Sequence, residues 1–161
     1  VTYDPCLRPV GETYQRQLVV EEARKWIGTP YHHCADVRGV GVDCAMLLVR
    51  IFVDLKMVPP FDPRPYAPDW HLHRSEEIYI DHIIGQGVGH EITQDEAGPG
   101  DLVVWKCGRT HSHGAVIVDW SKQRVIHALA KERLTIEGVP PDYLMKRSES
   151  MRFFSFWGNK Q

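Results

Sequence analysis

The 161-residue chain has no block of basic residues, no apolar run long enough to cross a bilayer and no closely spaced cysteine pair. Each absence excludes a class of protein. Lys and Arg number 19 against 21 Asp and Glu, the formal net charge is -2 and the pI is near 6.5. Interspersed charge of both signs gives no surface for tracking phosphates, so no nucleic-acid partner is expected. The basic group Lys146, Arg147 and Arg152 is too sparse to change that. The longest apolar stretch, Ala45 to Val49, is broken by Arg50, which excludes a membrane span. Residues Val1 to Tyr14 lack the charged start and apolar centre of a secretory signal. Export would then use another route, or follow removal of an earlier segment. The four cysteines, Cys6, Cys34, Cys44 and Cys107, show no C-x-x-C spacing, which argues against a zinc knuckle or a thioredoxin motif. A chain that can bury its own core does not need a disulfide framework, so all four are expected as thiols. Repeats and low-complexity tracts are also lacking, and one domain over residues 1–161 is expected, with 1–14 as an irregular N-terminal arm.

What is present divides into helices first and sheet afterwards. Apolar positions Leu18, Val19, Ala23 and Trp26 recur at helical spacing in Gln15 to Trp26, opposite Glu21, Glu22, Arg24 and Lys25. Gly28 ends that helix and a loop follows from Tyr31 to Val42. The segment from Cys44 to about Lys56 is apolar nearly all round, apart from the i, i+4 pair Arg50 and Asp54, and belongs in the middle of the domain. Five prolines between Pro59 and Trp70 exclude helix interior and central strand there. In that segment Phe61, Tyr66 and Trp70 read as core anchors, with a groove lining as the alternative. Ser75 to Ile84 is a second amphipathic helix, stopped by Gly85, Gly87 and Gly89. The turn Gly98-Pro99-Gly100-Asp101 then opens a β-rich half. Its expected strands are Leu102 to Cys107, Gly114 to Trp120, Arg124 to Leu129, Arg133 to Glu137 and Met151 to Trp157, with Pro140 to Ser150 as loop. This is an α+β arrangement with N-terminal helices packed on an antiparallel sheet.

The chemistry concentrates at Asp43-Cys44. Asp43 is a good N-cap, which places Cys44 at the first helical position, where unpaired N–H groups and the helix dipole favour a thiolate. A nucleophilic thiol needs a base, and the base needs a partner to fix its tautomer. His113 and His127 are the candidates, on the two strands of one hairpin. A turn centred on Lys122 pairs His127 with Ile117 and leaves the histidines roughly 13 Å apart at about 3.4 Å per residue. A turn centred nearer Trp120 sets them opposite each other, and both registers stay open. His111 is an alternative base, because alternate residues share a face. His71 and His73 read as solvated. Nine histidines make metal binding the rival to catalysis. For His33 and Cys34 to form a zinc site two more ligands are required, and taking Cys44 and His113 for them would leave no catalyst. Neither a metal nor another cofactor is therefore expected.

Three separated motifs carry a resemblance: Trp26-Ile27-Gly28-Thr29-Pro30-Tyr31 with Asp43-Cys44, then Gly98-Pro99-Gly100-Asp101-Leu102, then His113-Gly114-Ala115-Val116-Ile117 with Ile126-His127-Ala128. In order and spacing the chain resembles the NlpC/P60 family of cell-wall cysteine peptidases over about two-thirds of its length. The resemblance implies a circularly rearranged papain-like fold and cleavage of peptidoglycan stem peptides between γ-D-glutamyl and a diamino acid. It further implies Cys44 as nucleophile, His113 as base and His127 as third member, with Tyr31 and Asp43 on the substrate and oxyanion side. Two departures bear on substrate preference: Ala45-Met46 where many members have Ser-Gly, and Cys34-Ala35 where they have a glycine pair. The Gly41-Val42-Asp43-Cys44 stretch resembles phage-tail and gene-transfer-agent members, which implies particle proteins as partners. The alternatives are a non-catalytic structural or binding module of a phage tail and a His/Cys metal-binding protein.

Overall fold

The computed structural model describes residues 11–73, 76–85, 89–146 and 148–158. Helix α1 spans Glu12–Arg24, so residues 12–14 are helical rather than part of an irregular arm, Gly11 serving as the N-cap; residues 1–10, with Cys6, lie outside the described residues. A two-stranded ribbon, β1 at Asp36–Val37 and β2 at Gly41–Val42, interrupts the expected loop. Helix α2 then runs over Cys44–Asp54, and the proline-rich segment that follows is irregular as far as the short helix α3, Trp70–His73. Helix α4 is Ile78–Gly85. The strands are β3 (His90–Ile92), β4 (Leu102–Cys107), β5 (Thr110–Asp119), β6 (Arg124–Leu129), β7 (Leu134–Gly138) and β8 (Met151–Ser155), and a short helix α5, Asp142–Met145, lies in the expected loop before β8. They form one antiparallel sheet in the order β3-β8-β4-β5-β6-β7.

Period-two alternation gives the sheet two apolar faces. Leu102, Val104, Val116, Ile126, Ala128 and Phe154 meet α1, α2 and α4, where Val19, Ala23, Leu47, Leu48, Ile51 and Ile80 are buried. Val103, Trp105, Ala115, Ile117, Val125 and Phe153 face the other way, with Leu144 of α5 and the Trp120 ring among their cover. Helix α1 is pinned at the turn before β4: Arg16 pairs with the buried Asp101 at 2.9 Å and donates to the Pro99 carbonyl. The Trp157 indole N–H, in turn, donates to Gln15 at 2.9 Å.

Two irregularities position the site. Between β4 and β5 Trp105 pairs with His113 but Lys106 pairs with His111, so Ser112 is an extra residue on β5. This bulge breaks the alternate-residue rule, and His111 and His113 no longer share surroundings. The β5–β6 hairpin pairs Val116 with Ile126 and Ile117 with Val125, then shifts before Asp119 and closes through a 3-10 turn, Trp120–Lys122, with Gln123 at φ 51°. That register is neither of the two expected. Carried on, it sets His127 opposite Ala115 and diagonal to His113, a separation long side chains span.

Gly114 of β5 lies against both α2 and α4. A Cβ built there would lie 2.6 Å from the Tyr79 hydroxyl and 2.9 Å from Leu48 Cδ1. Gly114→Ala is therefore expected to cost about 1–3 kcal/mol through overpacking and to displace Tyr79. Chemical denaturation reads the cost; an unchanged midpoint would show that this interface has slack.

Candidate active site

The site is assembled around the start of α2. Asp43 is 2% exposed and takes the N-cap geometry, with Oδ1 accepting from the Met46 N–H at 2.8 Å. Oδ2 accepts from the Cys34 N–H at 2.7 Å, and the Tyr66 hydroxyl reaches both oxygens at 3.0 and 2.8 Å. Cys44 follows as the first helical residue, and its Sγ lies 3.6 Å from the Ser112 carbonyl oxygen, on the β5 bulge. The Tyr79 hydroxyl, buried beneath, donates to the Cys44 carbonyl at 3.1 Å. A cleft of about 270 Å³ is lined by Tyr31, Cys44, Tyr66, Ser112, His113 and Tyr143, among others. Tyr31 is held there by its bridge to Val42.

His113 Nε2 and His127 Nδ1 are 3.0 Å apart, with ring centroids at 5.2 Å. The Trp105 indole lies against both imidazoles, with centroids at 5.6 and 6.3 Å. The rival base is elsewhere. His111 is bound on both ring nitrogens, Nδ1 to the Glu77 carboxylate at 3.1 Å and Nε2 to the Ser150 carbonyl at 2.8 Å. His71 and His73 fall on α3, and their side chains lie outside the described residues.

Electrostatics alter one expectation. Burial pushes the Cys44 thiol up, and the neighbouring Asp43 carboxylate and Cys107 add to the rise; the Gly114 and Cys44 backbone N–H groups oppose it without prevailing. That rise runs against the thiolate expected from the helix terminus alone. Burial also lowers His113 to about 4, and burial together with the His113 charge lowers His127 further. The phenols of Tyr31, Tyr66 and Tyr79 are pushed up by burial first and then by the anionic forms of Cys44 and Asp43. Burial thus acts on the thiol and on both imidazoles in the direction of their neutral forms.

Some of this set left little trace in the sequence. Tyr66 was visible only as one aromatic among prolines, and it both packs on the core and lines the cleft. Tyr79 looked like an ordinary residue of an amphipathic helix, and Ser112 carried no signal because bulges have none. Among the described residues one potential metal-binding group occurs, His33, Cys34 and Asp43, with ligand atoms within 4.8 Å of one another.

N-terminal helices packed on a six-stranded antiparallel sheet, with a thiol at a helix start sharing a cleft with His113, define a protein of the α+β papain-like class. The model of the NlpC/P60 family matches residues 28–152, and the chain belongs to that family. It is 26% identical over 140 residues to the gamma-DL-glutamyl hydrolase of Bacillus subtilis strain 168, covering 84% of this chain. The chain spans only 29% of that relative's length. Among solved structures it is similar to the NlpC/P60 domain of the peptidoglycan hydrolase SagA, with a TM-score of 0.57 and 20% identity over 87% of this chain and 97% of that one. It is also similar to the peptidoglycan hydrolase RipB of Mycobacterium tuberculosis, with a TM-score of 0.53 and 16% identity over 89% and 69% of the two chains.

The buried imidazoles have a measurable consequence. An unfolded histidine titrates near 6.5, so between about pH 4 and 6.5 the unfolded chain binds more protons than the folded one. Stability contributed by keeping His113 and His127 neutral is present above about 6.5 and lost as pH falls toward 4. The unfolding free energy should therefore decline more steeply over this range in the native protein than in a His113→Asn, His127→Asn double variant. Parallel slopes would show that the two rings are not held neutral.

Proposed function

We propose that this chain is a cysteine endopeptidase that hydrolyses peptidoglycan stem peptides at the bond between γ-D-glutamyl and a diamino acid, with residues 1–161 as one catalytic domain. The observation that carries the reading is Cys44, at the start of α2, sharing a cleft with His113, whose Nε2 is bound to His127. The names of the relatives, a gamma-DL-glutamyl hydrolase and two peptidoglycan hydrolases, support the substrate class.

The chemistry follows from the hydrogen bonding. With the His113 Nε2–H donating to His127 Nδ1, the His113 Nδ1 lone pair is left to act as base. As Cys44 Sγ bonds to the substrate carbonyl carbon, its proton passes to His113, and the carbonyl electrons move to oxygen. The Cys44 backbone N–H, unpaired within the helix, would stabilise that oxyanion. His113 then protonates the departing amine, leaving a thioester on Cys44, and next takes a proton from the water that cleaves it. Tyr31 lines the substrate side, and Asp43 acts through Tyr66 and the helix start rather than by direct proton transfer. Ala45 stands where a serine helps other members hold the L-Ala end, so the acceptance of free stem peptides is expected to differ. The Gly41-Val42-Asp43-Cys44 resemblance supports delivery as part of a phage tail or related particle.

Muropeptide digestion followed by mass spectrometry tests the proposal. Cys44→Ala and His113→Ala should fall to background, a loss on the order of 10³-fold or more, and chelation should leave the native rate unchanged. Products formed equally by Cys44→Ala would end the peptidase reading.

His127 gives a finer test. Its loss should weaken turnover without abolishing it, and His127→Asn should restore part, because an amide oxygen can still accept from the His113 N–H. Full activity in His127→Ala would reduce the machinery to a Cys44 and His113 dyad.

A further inference from the structure

The cleft around Cys44 is poor in charge for a protein whose proposed substrate carries several carboxylates. Among its described lining residues the one carboxylate is Asp43, which is 2% exposed and already accepts from Met46, Cys34 and Tyr66. The one lining side chain with a permanent positive charge is Lys131, in the turn between β6 and β7. Arg64, on the proline-rich segment, is not part of that lining and is taken up by Asp62, Asp36 and the Cys34 carbonyl.

Lys131 is exposed, yet its ammonium is placed. Nζ lies 4.7 Å from the centroid of the Tyr143 ring, within the range of a cation–π contact. The ring is itself fixed, because Tyr143 belongs to α5, packs against the core on the Trp105 side of the sheet and donates its hydroxyl to Glu132 at 2.8 Å. Among the described residues Lys131 makes no ion pair, and a ring face engages the charge without using up its N–H donors. The turn is also tied to the segment that carries Tyr31. The Tyr31 N–H donates to the Arg133 carbonyl at 3.1 Å, and the Thr135 N–H donates to the Thr29 carbonyl at 2.9 Å. Lys131 thus enters the cleft beside the Tyr31 segment, just beyond His127 along the chain.

We infer that Lys131, held over Tyr143, is the subsite for a carboxylate of the stem peptide, an assignment that rests on the peptidase reading above. Carboxylates flank the proposed scissile bond on both sides: the α-carboxylate of the γ-linked D-glutamyl residue, and those of a diamino dicarboxylic acid. Either presents the same chemistry, an anion that accepts from an ammonium N–H. With no other fixed cation among the described lining residues, loss of Lys131 leaves that anion to water alone.

Three stem tripeptides separate the sources: one with every carboxylate free, one amidated only at the D-glutamyl α-carboxylate and one amidated only at the diamino acid. Between the native protein and Lys131→Gln, kcat/KM for the free peptide should fall about 5–10-fold, as for a charge-assisted bond on a partly exposed rim. The fall should shrink below about 2-fold for the amide that removes the partner carboxylate, which names the source, and persist for the other. Lys131→Arg should keep most of the native value, and about 0.5 M salt should narrow the gap. An equal fall on all three peptides would mark a merely structural role and overturn the assignment, as would no fall on any. Calorimetric binding of the same peptides to Cys44→Ala and to the Cys44→Ala, Lys131→Gln variant reads the subsite without turnover, with the same pattern expected. Cleavage by the native protein that ignores Lys131 would overturn the subsite and keep the peptidase, whereas carboxylate-dependent binding without cleavage would do the reverse. Peptides neither bound nor cleaved would overturn both.

Discussion

The structure depends on one buried carboxylate. Asp43 lies between β2 and α2, where the chain passes from the ribbon into the central helix. Its two oxygens accept from the Met46 N–H, the Cys34 N–H and the Tyr66 hydroxyl, so a single charge joins the helix start, the preceding loop and the proline-rich segment. Hydrogen bonds to an ionised acceptor are each worth roughly 1.5–3 kcal/mol, but removing the acceptor costs more than their sum suggests, because the abandoned donors stay buried. The cap also fixes geometry. It sets which residue is first in the helix, and hence that the sulfur beside it points toward the bulge of β5 rather than into the core.

The same carboxylate works against the thiol it positions. A helix terminus alone favours a thiolate, yet Asp43 stands one residue away and its charge adds to the burial that pushes Cys44 up. Positioning and activation thus pull in opposite directions. Under the proposed reaction burial opposes a preformed anion and deprotonation accompanies attack, which places the demand on His113. Geometry comes first, because a proton moves only once sulfur and imidazole face the same carbonyl.

What the sequence revealed was what is local. The Asp43 cap, the position of Cys44, the turn at Gly98 to Asp101 and the strands around Val103, Ile117 and Ile126 each follow from neighbours within a few residues. The relation of His113 to His127 does not, because it depends on a hairpin whose turn includes a 3-10 segment and a register shift before Asp119. Neither simple register accommodated both features. His111 was misleading for a similar reason: period-two alternation holds only in an unbroken ladder, and Ser112 breaks it. Tyr79 was illegible because its role is set by α4 packing on β5, a contact between segments more than twenty residues apart. The ribbon β1–β2 and strand β3 were missed because two or three residues carry too little periodicity to register.

The choice of a second imidazole in place of a carboxylate behind His113 has a physical consequence. His127 is wholly buried, and a carboxylate there would carry a charge into a site that holds Trp105 and apolar strand residues, at a cost of several kcal/mol. A neutral imidazole avoids that cost and still accepts one hydrogen bond. It also stabilises a His113 imidazolium less than a carboxylate would, consistent with burial lowering His113 to about 4. In the proposed reaction such an imidazolium is a strong acid for its position. It would be formed at a higher cost during attack and would surrender its proton readily to the departing amine. The pair therefore shifts the burden from deprotonating the thiol easily to protonating the leaving group easily, which suits a substrate whose amine is a poor leaving group until it is protonated.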